Sequence, residues 1–220
     1  MSIPTLRTPH LILRPWTAED GDAWFNILQE EGLLRYFPNQ TPPLRERADR
    51  YISHHLAHWE KRGYGHWAVI PQDDGQVAGW CGLEDLPELG ETEVAYLLST
   101  RAWGRGYATE AARAAVEFGF RTCHLPAIIG LVHPENVASR RVLEKCGLTF
   151  ADRIDLWGME LSRYRIEGGV GTPLRQGHSP LRSLRSTASS AVAYPQSPDL
   201  PAVPWPTLSP GQAGQAGQAG

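Results

Sequence analysis

The feature that most constrains the fold is a helical face built almost entirely of small residues. Between residues 108 and 119, apolar residues recur at steps of three and four, which is the spacing of one helix face. They are Ala108, Ala111, Ala112, Ala115, Val116 and Gly119. Because only Val116 is larger than alanine, this face can lie very close to a β-sheet. The segment therefore predicts a helix packed directly on a sheet, as in a layered α/β fold.

Helical and β-prone segments follow one another through the first 167 residues. A capping box at Thr17 and Asp20 predicts the start of the first helix. Helices are predicted over 17–32, 44–62, 108–122 and 136–146. Strands are predicted over 10–14, 66–70, 77–83, 93–98, 127–132, 149–156 and 158–165, with 84–92 as a polar loop. The order β-α-α-β-β-β-α-β-α-β-β indicates a mixed α/β fold rather than a strictly alternating, doubly wound one.

The composition changes abruptly at residue 168. Of the 53 residues from Gly168 to Gly220, 23 are Gly, Pro or Ser, and only four carry a charge. Such a segment lacks the apolar residues that would compensate the entropy lost on ordering. We therefore predict one domain over 1–167 and a disordered Pro/Gly/Ser-rich tail over 168–220, rather than two domains.

Several classes of protein are excluded by the totals. No apolar run approaches the roughly 18 residues of a membrane span, and no secretory signal is visible at the N-terminus. The three cysteines are widely spaced and form no CxxC pair, which favours a reducing cytoplasm over a disulfide framework or a zinc site. The net charge of −3 with no basic stripe argues against nucleic-acid binding.

A glycine-rich segment lies between the strand over 93–98 and the small-faced helix. Residues 101–107 read RAWGRGY, and such a turn directs several backbone N–H groups at a helix N-terminus towards one point. Gly104 and Gly106 leave room for an anion because they lack a Cβ, and Arg101 and Arg105 could add positive charge. The same glycines also suit an ordinary helix start. Neither a Walker A loop nor the dinucleotide fingerprint is present, because no G-K-[ST] follows and residue 109 is a threonine.

A second polar segment opens the helix over 136–146. Asn136 and Ser139 lie three residues apart and so face the same way on its first turn. Alternatively, Asn136 only caps the helix.

Together these segments resemble the GNAT N-acetyltransferase superfamily and, within it, the Rim-type ribosomal-protein N-terminal acetyltransferases. The matching stretches read LILRPWTAED (11–20), GWCG (79–82), EVAYLL (93–98), WGRGYATEA (103–111) and ENVASRRVLEKCG (135–147). They follow the family's order from about residue 6 to residue 165. The resemblance implies an α/β acyl-CoA N-acyltransferase fold, whose mostly antiparallel twisted sheet splays at the cofactor cleft between flanking helices.

The resemblance also implies a site for acetyl-CoA. The family's loop holds the pyrophosphate on backbone amides, the pantetheine arm pairs with the strand before the loop, and an amide near its end polarises the thioester carbonyl. The residues implied in cofactor binding are Leu97, Leu98, Arg101, Gly104, Arg105, Gly106, Tyr107, Ala108, Thr109, Asn136 and Ser139.

Two residues are implied as catalytic groups. Many relatives use a tyrosine seven residues after the asparagine as the acid, but that position holds Leu143, so the role is unfilled or moves to Ser139, which some Rim-type relatives use. A thiolate leaves adequately near neutral pH, so the acid is dispensable in principle. Glu93 is the candidate base, and the alternative for it is a solvated acid at a strand edge.

Other polar clusters are weaker candidates. His54, His55 and His58 include an i, i+4 pair but form no HExxH, so solvent-facing or half-buried histidines are favoured over a metal site. The acidic residues between 84 and 93 either attract a cationic amine or belong to a solvated loop. Trp24 or Trp67 could line an acceptor pocket, although core packing is the simpler interpretation.

The sequence is therefore interpreted as a cytoplasmic, metal-independent N-acetyltransferase that passes the acetyl group of acetyl-CoA directly to a primary amine. The acceptor is a protein N-terminus or a small molecule, bound by loops such as 33–43 and 84–92, and the protein is a monomer or homodimer. The alternative is a CoA-binding regulatory or scaffold protein of the same fold without turnover, which the missing tyrosine at position 143 favours.

Overall fold

The computed structural model describes residues 2–168, so the predicted tail lies outside the described residues except for Gly168. Eight strands and four α-helices occur within that range. The strands are β1 (Leu6–Arg7), β2 (Leu11–Arg14), β3 (His66–Pro71), β4 (Gly79–Leu86), β5 (Glu91–Leu98), β6 (Ala127–Val132), β7 (Thr149–Leu156) and β8 (Met159–Glu167). The helices are α1 (Gly21–Leu28), α2 (Arg45–Arg62), α3 (Tyr107–Arg121) and α4 (Val137–Lys145).

Most predicted elements are confirmed, and two differ. The first helix is shorter than predicted, because the capping box at Thr17 begins a 3-10 turn over Ala18–Asp20 and α1 already ends at Leu28. The stretch 84–92 was predicted wrongly as a loop, since β4 runs on to Leu86 and β5 begins at Glu91. Two of the acidic residues there, Asp85 and Glu91, form ion pairs with arginines, and only a short turn separates the two strands.

All eight strands form one sheet in the order β1-β2-β3-β4-β5-β6-β8-β7. Every neighbouring pair is antiparallel except β5 and β6, which are parallel and joined by a single bridge between Glu93 and Ile129. On its other edge β6 pairs with β8 along its whole length, from Ala127 to Val132. The sheet is thus open along the C-terminal half of β5, which confirms the mostly antiparallel, splayed sheet.

Helices cover both faces of the sheet. On one face, α1 and α2 pack on a cluster that includes Trp24, Ile52 and Trp80. On the other face α3 packs through the predicted small residues, and Ala111, Ala112 and Ala115 are fully buried. A Cβ added at Gly119 would lie 2.8 Å from the Cδ1 of Ile128, so the close approach of helix and sheet is confirmed. This contact fixes the position of the glycine loop that precedes α3.

A partly buried ion pair anchors the N-terminal part of the sheet. The guanidinium of Arg14 donates to both carboxylate oxygens of Asp20 at 2.6 and 2.7 Å, and the Thr17 N–H donates to Asp20 Oδ2 at 2.8 Å. Burial raises the pKa of Asp20, but the bonds from Arg14 and Thr17 outweigh it and leave the pKa below its ordinary value. The folded chain therefore favours the charged form of Asp20.

Replacing Asp20 should destabilise the fold in a pH-dependent way. We expect Asp20→Asn to lower the free energy of unfolding at pH 7 by about 2–3 kcal/mol, since charge-assisted hydrogen bonds are lost. Because the folded pKa lies below the unfolded one, near 3.9, this stability is present above that value and is lost as the pH falls through the folded pKa. Urea denaturation should thus show a smaller difference at pH 3 than at pH 7. An equal loss of stability at pH 3 and pH 7 would contradict a role for the charged form of Asp20. Asp22→Asn, at an exposed residue, serves as the control.

Candidate active site

A cleft opens at the place where β5 and β6 separate. Residues from both strands, from α4 and from the segment after α1 contribute to its walls, and several of these residues are aromatic. Its walls include Tyr36, Phe37, Trp80, Glu93, Tyr96, His133, Asn136, Ser139 and Trp157. Tyr36 and Phe37 bring part of the segment 33–43 to the cleft, whereas no residue of the segment 84–92 lines it within residues 2–168. Trp24 and Trp67 are fully buried, so core packing is the correct interpretation of both.

The glycine-rich segment forms the entry to α3. Gly104 and Gly106 have φ angles of +74° and +81°, which side chains other than glycine rarely adopt, and Gly106 is the N-cap of α3. A Cβ added at either glycine would meet no atom within 4 Å, so open space lies beside both. The N–H groups of the first turn, which includes Tyr107, Ala108 and Thr109, have no acceptor within the helix. The loop therefore provides room and amide donors for an anion.

The two loop arginines are already paired in this structure. Arg101 pairs with Asp74 and also donates to the carbonyl of Val77 at 2.8 Å, and Arg105 pairs with Asp73 at 2.5 Å. Both aspartates belong to the turn between β3 and β4, so each positive charge beside the loop is matched by a negative one. A contribution of these two arginines to anion binding stays a prediction.

The strand β5 presents its open edge next to this loop. Leu97 and Leu98 pair with Trp80 and Gly79 of β4, and the indole of Trp103 donates to the carbonyl of Leu98 at 2.7 Å. Within residues 2–168, the ladder to β6 contains no pair beyond Glu93. Extended backbone without a neighbouring strand can pair with a bound chain.

Asn136 and Ser139 meet on the first turn of α4, as predicted. The Ser139 N–H donates to Asn136 Oδ1 at 3.0 Å, so Asn136 caps the helix while lining the cleft. The hydroxyl of Tyr96 lies 2.7 Å from Ser139 Oγ and donates to the Ser139 carbonyl at 3.1 Å. Leu143 is buried beside them, so the tyrosine position of many relatives is filled by an apolar side chain.

Glu93 is a buried carboxyl at the point where the sheet opens. Its side chain is 5% exposed, and Glu93 Oε1 accepts a hydrogen bond from the Leu131 N–H at 2.9 Å. Burial raises the pKa of Glu93 to about 8, although the bond from Leu131 opposes this shift. The alternative of a solvated acid at a strand edge is therefore wrong.

Of the remaining acids between residues 84 and 93, Glu88 is exposed, whereas Glu84, Asp85 and Glu91 are buried or half-buried. Glu91 pairs with Arg163 and Arg165, and Asp85 pairs with Arg62. Glu84 is buried and faces Glu93 across β4 and β5. Burial, followed by the charge of Glu93, raises the pKa of Glu84 to about 8.

The histidines of α2 are more buried than the sequence suggested. His54 and His58 are half-buried as predicted, but His55 is only 3% exposed. Burial lowers the pKa of His55 well below its ordinary value, and His54 and His58 lower it further. The prediction that these histidines are solvent-facing or half-buried is therefore wrong for His55.

The sequence analysis assigned no role to the cleft residues Trp80, His133 and Trp157, and Tyr96 was expected only as part of the strand that pairs with the pantetheine arm. Trp80 and Tyr96 lie in stretches that match the family, GWCG and EVAYLL, so the positions were visible although their orientation was not. His133 lies directly after β6, where a residue entering the cleft can be expected once the sheet is known to open there. Within residues 2–168 no helix has both the length and the apolar character needed to cross a bilayer.

Comparisons with known proteins agree with this geometry. The family model described as an acetyltransferase (GNAT) domain matches residues 10–149. YoaA, an uncharacterised N-acetyltransferase of Bacillus subtilis strain 168, is 31% identical over 146 residues, which are 66% of this chain and 82% of YoaA. The crystal structure of an acetyltransferase from Agrobacterium tumefaciens strain C58 matches with a TM-score of 0.65 and 32% identity, over 76% of this chain and 96% of that one.

A further structural match carries a ligand. RimL, described as a ribosomal L7/L12 alpha-N-protein acetyltransferase in complex with coenzyme A, has a TM-score of 0.65. The match covers 74% of this chain and 98% of that one at 16% identity. At this level of identity the similarity shows a shared fold.

Proposed function

Because the chain belongs to the GNAT acetyltransferase family, we propose that it transfers the acetyl group of acetyl-CoA directly to a primary amine in the cleft between β5 and β6. The observation that carries this proposal is the meeting of three features at one place. The open edge of β5 and the buried carboxyl of Glu93 border the split in the sheet, and the glycine loop follows the C-terminal end of β5 and leads into α3. Each feature supplies one requirement of the reaction.

Binding of the donor is assigned to the loop and to β5. Amides of residues 104–109 would hold the pyrophosphate, and no atom lies within 4 Å of a Cβ added at Gly104 or Gly106. The pantetheine arm would pair with β5 near Leu97 and Leu98, and Asn136 would contact it from α4. A backbone N–H of Leu97 or Leu98 would then polarise the thioester carbonyl.

Glu93 is proposed to take the proton from the attacking amine. The neutral amine forms a C–N bond to the carbonyl carbon, the C–S bond breaks, and the proton of the amine passes to Glu93 directly or through water. The N–H of Leu131 holds one carboxylate oxygen, which leaves the other for this proton. We propose no covalent acetyl-enzyme, because none of the cysteines in residues 2–168 lines the cleft.

Ser139 is proposed to donate a proton to the departing thiolate, with Tyr96 supporting it. The two hydroxyls are 2.7 Å apart, so Tyr96 positions the hydroxyl of Ser139 by hydrogen bonding. We expect Ser139→Ala to lower kcat by about 3- to 10-fold, because a thiolate with a conjugate-acid pKa of roughly 8.5 is already an adequate leaving group. Steady-state kinetics with saturating acetyl-CoA measures this. An unchanged kcat would remove Ser139 from the mechanism.

The acceptor is proposed to be a protein N-terminal α-amine or a small-molecule amine. The aromatic side chains of Tyr36, Phe37 and Trp157 offer apolar surface to the group that carries the amine. RimL, which shares the fold, is described as acting on the α-amine of a ribosomal protein.

The tail is proposed to lie outside the catalytic domain. β8 ends at Glu167, and among residues 2–168 the last residue that lines the cleft is Leu161. We expect a protein truncated after Glu167 to bind acetyl-CoA with an unchanged Kd in isothermal titration calorimetry. Loss of binding on truncation would assign residues 168–220 to the site.

Thiol release from acetyl-CoA tests the proposed activity. The full-length protein is mixed with acetyl-CoA and with separate panels of N-terminal peptides, polyamines and amino acids, and free CoA is followed with a thiol reagent. We expect amine-dependent release with at least one panel. Tight binding of acetyl-CoA without turnover on every panel would favour a CoA-binding regulatory protein.

A further inference from the structure

Four buried nitrogen and oxygen atoms without a hydrogen-bond partner lie between α2 and the sheet. They are His55 Nδ1, His58 Nε2, His66 Nε2 and Glu84 Oε2. Buried polar atoms in native proteins nearly always have partners, and a cluster without them commonly indicates a water or an ion. The proposed acetyl transfer uses none of these residues.

Three side chains converge closely enough to share one ion. One ligand atom each from His54, His55 and Glu84 lies within 4.8 Å of the other two. His55 and Glu84 are each 3% exposed, whereas His54 is half-buried and gives access from the surface of α2. The cluster therefore combines a buried interior with an entry path.

Aromatic stacking holds the imidazoles of His55 and His66 in place. His55 stacks on His66 with ring centroids 3.9 Å apart, and His66 stacks on Trp80 at 4.0 Å. Tyr51 hydrogen-bonds to His66 Nδ1 at 2.8 Å, so the rotation of that ring is fixed as well. Such rigidity lowers the entropy that a bound ligand would cost.

Glu84 has an oxygen available for a cation. No Lys or Arg of residues 2–168 forms a recorded ion pair with it, and its nearest basic group is His66 Nε2 at 3.6 Å. Directly opposite Glu84 across the strands lies Glu93, a second buried carboxyl. A positive ion at Glu84 would reduce the repulsion between these two acids.

We propose that His54, His55 and Glu84 bind one divalent transition-metal ion, with Zn²⁺ as the matching chemistry. Two imidazoles and one carboxylate form a donor set that zinc uses in proteins, whereas Mg²⁺ requires mainly oxygen ligands. Around a tetrahedral zinc ion, ligand atoms are about 3.4 Å apart. The present ligand atoms lie within 4.8 Å of one another, and rotation of the half-buried His54 side chain would bring them closer while His55 stays stacked. The ion would join α2 to β4 and leave the acetyl-CoA cleft free.

Zinc titration in the absence of acetyl-CoA tests this site separately from the proposed catalysis. The full-length protein is treated with EDTA, desalted, and titrated with ZnCl₂ against a chromophoric chelator. We expect one ion per chain, a rise in Tm on binding, and no comparable effect of MgCl₂. Replacing the ion with Co²⁺ should give the visible absorption of a tetrahedral site.

Variants decide which residues bind the ion. His54→Ala removes a half-buried ligand and is expected to fold, and Glu84→Gln keeps the shape of the side chain. We expect each to weaken Zn²⁺ binding by at least about 100-fold, because even partners of metal ligands contribute 10- to 100-fold. His10→Ala serves as the control, because the His10 side chain is 67% exposed and pairs with Glu110. It should leave Zn²⁺ binding unchanged.

Two results would overturn the proposal. One is the absence of saturable binding up to about 100 µM Zn²⁺, which corresponds to an affinity too weak for a formed site. The other is tight binding that neither His54→Ala nor Glu84→Gln weakens, which would place the ion elsewhere. Neither result bears on acetyl transfer, because no step of that reaction uses these residues.

Discussion

Gly106→Val is expected to weaken acetyl-CoA binding by at least about 100-fold while the protein stays folded. Gly106 has a φ of +81° at the N-terminus of α3, and a β-branched side chain is strongly disfavoured there. The substitution would therefore shift the loop, and its Cβ and methyl groups would occupy the open space proposed for the pyrophosphate. Loss of two hydrogen bonds to a charged group alone accounts for about 3 kcal/mol or more. Isothermal titration calorimetry with CoA measures the change.

Gly63 provides a matched control for backbone strain. It ends α2 with a φ of +76°, close to that of Gly106, and a Cβ there would also meet no atom within 4 Å. Gly63→Val should reduce stability about as much as Gly106→Val and leave the Kd for CoA unchanged. If Gly106→Val bound CoA like the unaltered protein, the loop would not be the pyrophosphate site.

Glu93→Gln is expected to lower kcat by about 10²- to 10⁴-fold, the usual contribution of a general base. Glutamine has the same shape and its amide oxygen can still accept the bond from the Leu131 N–H, so the cleft should keep its structure. The KM for acetyl-CoA should change little, because the proposed role of Glu93 concerns the amine. Steady-state kinetics with varied acetyl-CoA separates the two constants.

Two further measurements distinguish a base from a structural acid at position 93. Glu88→Gln makes the same change at an exposed residue of the same hairpin and should have no effect. Glu93→Ala removes the carboxylate and opens space, so added formate should restore part of the lost activity. A normal kcat in Glu93→Gln would exclude Glu93 as the base.

Local features were predictable from the sequence to the extent that backbone geometry decides them. Gly104 and Gly106 adopt positive φ angles at a helix start, as the RAWGRGY turn indicated, because glycine alone tolerates that conformation readily. The small residues of α3 faced the sheet because their spacing matches the helical period. Asn136 occupies the cap because its side chain can accept a backbone N–H three residues on.

Contacts between distant segments were not predictable in the same way. Tyr96 and Ser139 are 43 residues apart, and Arg101 and Asp74 are 27 apart, so only the assembled sheet brings each pair together. The burial of Glu93 and Glu84 likewise depends on β4 and β5 continuing through a polar stretch that resembles a loop. The stacking of His55 on His66 was not predictable either, because the sequence around His55 shows only a helix with two other histidines and not its contact with β3.

The most direct test of the proposed reaction is mass spectrometry of both protein and acceptor in a single mixture. The full-length protein is incubated with acetyl-CoA, first alone and then with an amine that supports thiol release. We predict that the intact mass of the protein stays unchanged throughout, and that one acetylated amine forms for each CoA released. Acetylation of the protein that decays when amine is added would contradict direct transfer, and CoA release without an acetylated amine would contradict N-acetyltransferase activity itself.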